Sequence, residues 1–482
     1  MANSQKYTAS KKGGTMALIC IIYGLWGVIY SLPVPFFPRE AVKCGLSVLE
    51  IGVIFAMSPA AVFVCSPLCA ILLPSIGSKY MFWAGMTIEG GCTILFGTLT
   101  LMDDRISFLV FALLIRFTQG IGGAIQGVAI ESTVIVLYRD RIASAKGFIE
   151  TCLGIGYATG PLIGAGLYKA GGYAMPFLVI GSIVILTAPI ATYTLPQVAD
   201  ANVAPWKSMI KLSKSFYIIL LCFGIFIQVA SQTFIETNYS IRLTIFHMDV
   251  VKSAAIILIS ATSYAVIGIT VGFASDYFGY KKFILSGFFL IAIALQMMGS
   301  FPYFKIKPTL WHFMVGSALY GVGAGAVMMP MSAEMVRYAS ENDIGDNLGV
   351  YSSVAGLFKV FQSLGTICGP SVGSSLTSVT SIGFSWTSSI FGFLALLQFL
   401  IFACYNIYEI NYKPKKPTKV IDNCRTYEKL SSIEEVQEEH VSKDGENHTI
   451  KSKDIVYDNT ETGAQVLECD DRQKKISDST KL

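Results

Sequence analysis

Seven ionisable side chains stand in stretches that are otherwise apolar: the acids Glu89, Glu131, Glu150, Glu236 and Glu334 and the bases Arg116 and Lys359. A charge at the centre of a bilayer costs ~2.5–3.5 kcal/mol on insertion scales, so each must turn toward a protected interior and find a partner. Carboxyls in that position suit two tasks. Ionised, they hold an organic cation; protonated, they release it. Burial penalises the charged form, so one such group carries a proton or an ammonium but not both, which is the physical basis of exchange. Glu236 leads as the cation-binding acid, with Glu150 and Glu334 supplying the further charge a polyvalent cation needs. Tyr23, Tyr157, Tyr264 and Tyr320 offer ring faces for cation–π contact, or pack between helices. The alternative for Glu131, Glu150 and Glu334 is structural: they lie within a few turns of one membrane surface, in reach of Arg139, Arg141 or Arg337. Glu89, Arg116, Glu236 and Lys359 lie deeper. None of His247, His312, His440 and His448 is deep in an apolar stretch, so proton transfer falls to carboxyls.

The elements that must position these groups are membrane helices. Hydrophobic residues make up 53% of the chain and charged residues 14%, against roughly 45–50% and 25% in soluble domains. Windows of about twenty apolar residues, long enough for the hydrocarbon core, recur along most of the sequence, which excludes a cleaved leader as their explanation. The predicted spans are 14–37, 48–73, 81–101, 106–136, 145–168, 174–195, 215–240, 251–274, 283–303, 309–335, 348–376 and 384–408. An even count puts both termini on one side. Lys79, Arg139, Arg141, Lys146, Lys207, Lys211, Lys214, Lys281, Lys282 and Arg337 share that side, and the basic excess marks it as cytoplasmic.

The chain repeats itself. Gly77 after the second span answers Gly279 after the eighth, Gly120 and Gly122 answer Gly321 and Gly323, and Gly160-Pro161 with Gly164 answers Gly369-Pro370 with Gly373, each pair roughly 200 residues apart. Two parallel six-helix halves follow, related by a pseudo-twofold axis along the membrane normal, with a binding site between them near the midplane. The expected division is an N-terminal tail 1–13, bundles 14–196 and 215–408, a linker 197–214 and a polar, disordered tail 409–482. In the fifth span Gly156, Gly160 and Gly164 recur every fourth residue beside Pro161, a stripe for close helix approach with a local kink. Between the eighth and ninth spans, Gly272 and Gly279 permit a tight turn, while Asp276 can cap a neighbouring helix or pair with Lys281 or Lys282.

These elements resemble those of the major facilitator superfamily, in particular its twelve-span drug/proton antiporters. The loop from Gly272 through Asp276 to Lys282, the Arg116-x-x-Gln119-Gly120 element and the glycine-proline element from Gly154 to Gly164 carry the likeness. The first half lacks the loop aspartate before Gly77. A closer resemblance is to the vesicular amine transporter family, and within it to the branch of polyamine transporters. It rests on Pro33-Val-Pro35 with Pro38, Arg39 and Glu40, on Gly85-Met86 with Gly90-Gly91, on Glu150-Thr151 ahead of Gly160-Pro161, on Phe234-Ile-Glu236-Thr, and on Met329-Pro330 followed by Glu334. Monoamine and acetylcholine carriers of that family have an aspartate in the first span, where this chain has Trp26, and another before Met328-Met329-Pro330, where it has Gly325 and Ala326.

What the resemblance implies is a proton-coupled antiporter that moves organic cations, polyamines above all, from cytosol into acidic vesicles of secretory, synaptic or endolysosomal type. It suggests a proton-coupling role for Arg116; with the residue chemistry above, the candidates are Arg116, Gln119, Glu89 and Glu236 for proton coupling, Glu236, Glu150, Glu334 and Tyr264 for substrate contact, and Gly156, Gly160, Pro161, Gly164, Asp276, Gly279 and Pro370 for gating. The expected partners are a small organic cation, protons and the lipid bilayer. Tyr427, Glu428, Lys429 and Leu430 resemble a tyrosine-based signal read by a sorting adaptor. A drug or organic-anion carrier of the plasma membrane, using Arg116 and Lys359, and a non-transporting receptor with the same fold are the alternatives. A net charge of +4 without a basic face excludes nucleic-acid binding. The eleven cysteines lie mostly in apolar runs, where they act as small hydrophobes. No nucleophile–base pair, phosphate loop or metal-ligand spacing is present, so neither an enzyme nor a cofactor is expected.

Overall fold

The computed structural model describes residues 9–412 apart from 103, 201–204, 245, 247–249, 305–306, 308 and 380–382. Among the described residues the chain forms twelve long helices and two short ones. In the first half these are α1 (Ala9–Ser31), α2 (Phe37–Lys43), α3 (Val48–Ile76), α4 (Ser78–Gly97), α5 (Arg105–Leu137), α6 (Ile142–Gly171) and α7 (Ala174–Thr194). The linker helix α8 (Pro205–Lys214) follows. The second half is α9 (Phe216–Thr244), α10 (Val250–Phe278), α11 (Tyr280–Met298), α12 (Leu310–Glu341), α13 (Leu348–Ser378) and α14 (Gly383–Tyr412). Eight of them are long and apolar enough to cross a membrane on composition alone. Of the other four, α4, α6 and α13 carry interior charge at Glu89, Lys146, Glu150 and Lys359, which dilutes their hydropathy without changing their length. Leu68, Leu162, Leu186 and Ile190 lie exposed on the outer surface, as lipid-facing side chains must.

Local signals set the helix ends. Ser47 and Glu50 form a reciprocal capping box at α3, while Asp104, Thr309 and Asn347 cap α5, α12 and α13 with their side chains. Gly77 and Gly279, at φ 90° and 92°, turn α3 into α4 and α10 into α11 at equivalent places in the two halves. A Cβ is disfavoured in that conformation, which explains the repeated glycine.

The structure corrects two expectations, for the first span and for Lys146, and adds detail to the linker. The first span stops at Ser31, because Pro33 and Pro35 divert the chain into a turn before α2 begins. The linker contains an ordered helix, α8, that buries Pro205, Ser208 and Leu212, and the Pro205 carbonyl accepts from Ser353 Oγ of α13 at 3.2 Å. Lys146, counted above among surface charges, is fully buried. The tail beyond Tyr412, with Tyr427 and Leu430, lies outside the described residues.

Each half has its own apolar core. Within the first half, α1 lies against α6 along the glycine stripe: a Cβ built at Gly156 would stand 1.9 Å from the Gly24 carbonyl oxygen, and one at Gly160 2.1 Å from Ser31 Oγ. The second half repeats the device, with Gly365, Gly369 and Gly373 of α13 against α9. Both helices run unbroken through their prolines, Pro161 and Pro370. The halves touch close to the face where α1 begins and α14 ends, here called the terminal face. There Gly147 meets Gly268, Gly272 meets Ala143, and Gly356 meets Ala70. Toward the opposite face, Tyr30 and Tyr157 are each 38% exposed and Glu236 is exposed.

Candidate functional site

Most of the interior charges fall into two layers. Nearest the face opposite the terminal one is Glu236 of α9. Its carboxylate accepts from Gln232 Nε2 at 2.9 Å, and Gln228 Nε2 in turn donates to Gln232 at 3.1 Å, so three residues at helical i, i+4 spacing form one polar edge. Glu236 is within Coulombic reach of Tyr30 on α1 and Tyr157 on α6, both from the other half. The two rings lie 5.8 Å apart. An acid of one half thus lies within Coulombic reach of an aromatic pair of the other.

A covered layer lies deeper. Glu89 of α4 is buried and accepts from Gln126 Nε2 at 2.6 Å and from the Trp26 indole. Lys146 of α6 donates to Glu131 of α5 and lies 3.3 Å from Glu150 Oε1. Tyr23, whose buried hydroxyl has no hydrogen-bond partner among the described residues, is within Coulombic reach of Glu131 and Glu150. Tyr264 of α10 lies within reach of Glu150 from the other half, and Thr151 Oγ1 donates across the seam to the Ala265 carbonyl at 3.1 Å. Lys359 of α13 crosses from the second half into this layer and sits 4.7 Å from the Trp26 ring centroid.

Arg116 of α5 lies beside that layer. It donates to Gln119 Oε1 at 2.8 Å; Gln119 donates to Thr93 Oγ1 at 3.1 Å, and Thr93 to the Glu89 carbonyl at 2.7 Å. Phe55 and Phe96 flank the guanidinium at 5.3 and 5.4 Å. Arg116 and Gln119 are therefore linked through Thr93 to the Glu89 backbone carbonyl, while the Glu89 carboxyl binds Gln126 instead. The partner expected for Arg116 turns out to be an amide and two ring faces, with no carboxylate in ion-pairing distance among the described residues.

Glu334 is not brought to these layers. It is fully buried near the terminal face, where Arg337 binds both its oxygens at 2.8 Å, the Tyr217 hydroxyl donates to it at 2.6 Å and Lys281 lies 3.9 Å away. The structural alternative fits it. For Glu131 and Glu150 the basic partner is Lys146 rather than Arg139 or Arg141. Arg139 pairs instead with Asp346 across the terminal face. The sequence reading missed Lys146, Gln126, Gln232 and Trp26 as partners; the i, i+4 spacing of Lys146 and Glu150 was the available signal. Asn238, the asparagine of an Asn-x-Ser sequon, is buried and donates to the Phe234 carbonyl at 2.9 Å.

Asp276 joins the halves at the terminal face. Of its two expected contacts the cap is the one formed: its carboxylate accepts from the backbone N–H groups of Ala143 at 3.2 Å and Ser144 at 2.8 Å, at the start of α6, and from the Tyr280 hydroxyl at 3.0 Å. Arg141, at the N-cap position of α6, provides no side-chain cap of its own. Asp276→Ala leaves those N–H groups without an acceptor, at a cost of ~1 kcal/mol. The expected outcome is a severalfold rise in thiol labelling of a cysteine placed at Ala143. Unchanged labelling would mean that the cap does not hold this face closed.

Residues 16–357 and 221–433 match the Major Facilitator Superfamily. The chain belongs to that superfamily. Among its relatives, this facilitator is 31% identical over 413 residues to the MFS-type transporter SLC18B1 of Homo sapiens, covering 84% of this chain and 88% of that one. It is 24% identical over 415 residues to the human synaptic vesicular amine transporter, covering 83% and 75%. Among solved structures, the human organic anion transporter MFSD10 (TETRAN) superposes with a TM-score of 0.66 at 15% identity, covering 81% of this chain and 99% of that one, a likeness of fold. The protein is accordingly an integral, multi-pass membrane transporter of small molecules, with the resemblance to vesicular amine transporters that its sequence motifs carry.

Proposed function

We propose that this facilitator is a proton-coupled antiporter that moves organic cations, polyamines or related amines, from the cytosol into acidic vesicles. The observation that carries the reading is Glu236: an exposed carboxylate on one half, within Coulombic reach of the Tyr30–Tyr157 ring pair of the other. Carboxylate plus ring face is the chemistry that recognises an alkylammonium ion. The covered layer beneath holds Glu89, Glu131 and Glu150, further acceptors for the charges of a polyvalent amine or for protons. The similarity to a vesicular amine transporter points to the same cargo class. In this reading the terminal face is cytoplasmic, and the arrangement closed at Gly147, Gly272 and Gly356 is the vesicle-facing one. The two bundles, 14–196 and 215–408, rock about the seam, with the glycine stripes and Asp276 as parts of the gate. Tyr427 to Leu430 would serve an adaptor that sorts the protein to its vesicle.

Each pH unit of an inside-acid gradient supplies ~1.4 kcal/mol per exchanged proton for uphill loading. The test is uptake of radiolabelled spermidine and spermine into proteoliposomes bearing that gradient. Glu236→Gln removes a charge-assisted contact worth ~1.5–3 kcal/mol, so uptake should fall at least tenfold at unchanged expression. Full proton-coupled uptake by the variant would overturn the role of Glu236. Ligand binding without flux in the wild type would favour a receptor. An organic-anion carrier is the second reading, favoured by Arg116 and Lys359, two interior cations without carboxylate partners among the described residues; labelled anions in the same assay separate it.

A further inference from the structure

Lys359 has an environment that its helix alone does not explain. Its side chain is 2% exposed. The ammonium donates to Gln362 Oε1 at 3.0 Å on its own helix and rests over the Trp26 ring at 4.7 Å. Its Cε would lie 3.2 Å from a Cβ built at Gly127, so the glycine of α5 leaves the groove that the lysine stem fills. Lys146, Glu131, Glu150 and Glu89 are all within its Coulombic reach, yet among the described residues no carboxylate is close enough to form an ion pair with it. A buried ammonium with an aromatic face, a glycine floor and acids within Coulombic reach has surroundings of the kind that would suit a cargo ammonium. The difference is that this one is tethered to the other half.

Charge counting gives that position a consequence. Among the described residues the covered layer contains three carboxyls, from Glu89, Glu131 and Glu150, and two ammonium groups, from Lys146 and Lys359. Lys146 is committed to Glu131 and Glu150. Among the described charged groups of this layer, Lys359 is the remaining positive one and the one that enters from the second half. Resting on the cation-transport reading above, we propose that Lys359 sets the valence of the cargo: it acts as a built-in ammonium in the Trp26 pocket, so the site accepts one fewer positive charge than its carboxyls would otherwise hold. The cargo ammonium nearest the Trp26 ring must displace the lysine or stop short of it, and highly charged amines meet its repulsion most strongly.

The experiment compares uptake of phenethylamine, putrescine, spermidine and spermine, with one to four ammonium groups, by wild type and by Lys359→Gln, Lys359→Arg and Gly127→Ala. Removing one like charge within several ångströms in a partly shielded interior changes relative affinity by tenfold or more. Lys359→Gln should therefore raise kcat/KM for spermine relative to phenethylamine about tenfold or more, and Lys359→Arg should keep the wild-type ranking. Gly127→Ala, which keeps the charge but pushes on the stem at Cε, should shift the ranking in the same direction by less. A Lys359→Gln protein that loses all four amines in equal proportion, or keeps the wild-type ranking, would overturn the proposal and leave the lysine a structural role. Failure of the wild type to take up any amine would instead sink the cation-transport reading, and the wild-type arm alone reveals it.

Discussion

Lys146→Met is expected to cost ~3–5 kcal/mol and to remove most folded protein from detergent extracts. The lysine is 0% exposed and holds Glu131 and Glu150 together, on α5 and on its own helix. Its ammonium also lies 4.4 Å from the Phe358 ring centroid of the second half. Methionine preserves most of the stem packing but leaves two carboxylates in a low-dielectric interior with no cation between them. Removing one partner of a buried pair costs far more than the pair contributes, because the partner's desolvation is no longer offset. The same reasoning fixes a rescue. Lys146→Met combined with Glu131→Gln and Glu150→Gln removes the uncompensated charge and should recover most of the lost thermal stability, though not transport. A Lys146→Met protein that melts with the wild type would show that the three groups are not coupled.

Gly156→Ala and Gly154→Ala should have effects of opposite sign on melting temperature. The first puts a methyl 1.9 Å from the Gly24 carbonyl oxygen, which is backbone and cannot rotate away, so α1 and α6 must separate. Overpacking of this kind typically costs ~1–3 kcal/mol. At Gly154 an added Cβ meets nothing within 4 Å, and alanine gains ~0.5–1 kcal/mol by restricting the unfolded chain. Two glycines two residues apart, on one helix with one composition, therefore separate a packing requirement from a mere tolerance. Melting curves of the two variants that move together would refute the close α1–α6 contact.

The long apolar periods, the repeated Gly77 and Gly279 turns, the glycine stripes and the identity of most interior charges were legible in the sequence. Each depends on residues a few positions apart, or on matching the two halves. Hydropathy is a local sum, and a positive φ needs glycine wherever it occurs. Partner choice is not local. Arg337, three residues on, was in local reach of Glu334, but nothing in the order of residues says that Tyr217 and Lys281 join them while Glu236 stays open. Nor does it say that Lys146 lies inside the bundle rather than at its surface. Those outcomes depend on distances between helices far apart in the chain, and burial of charge is tolerated only where such distances close an ion pair or a hydrogen bond. The entry of Lys359 into the other half's aromatic pocket is the clearest case. Its type and depth were evident from the sequence, but only the approach of α13 to Trp26 and Gly127 decides what it touches.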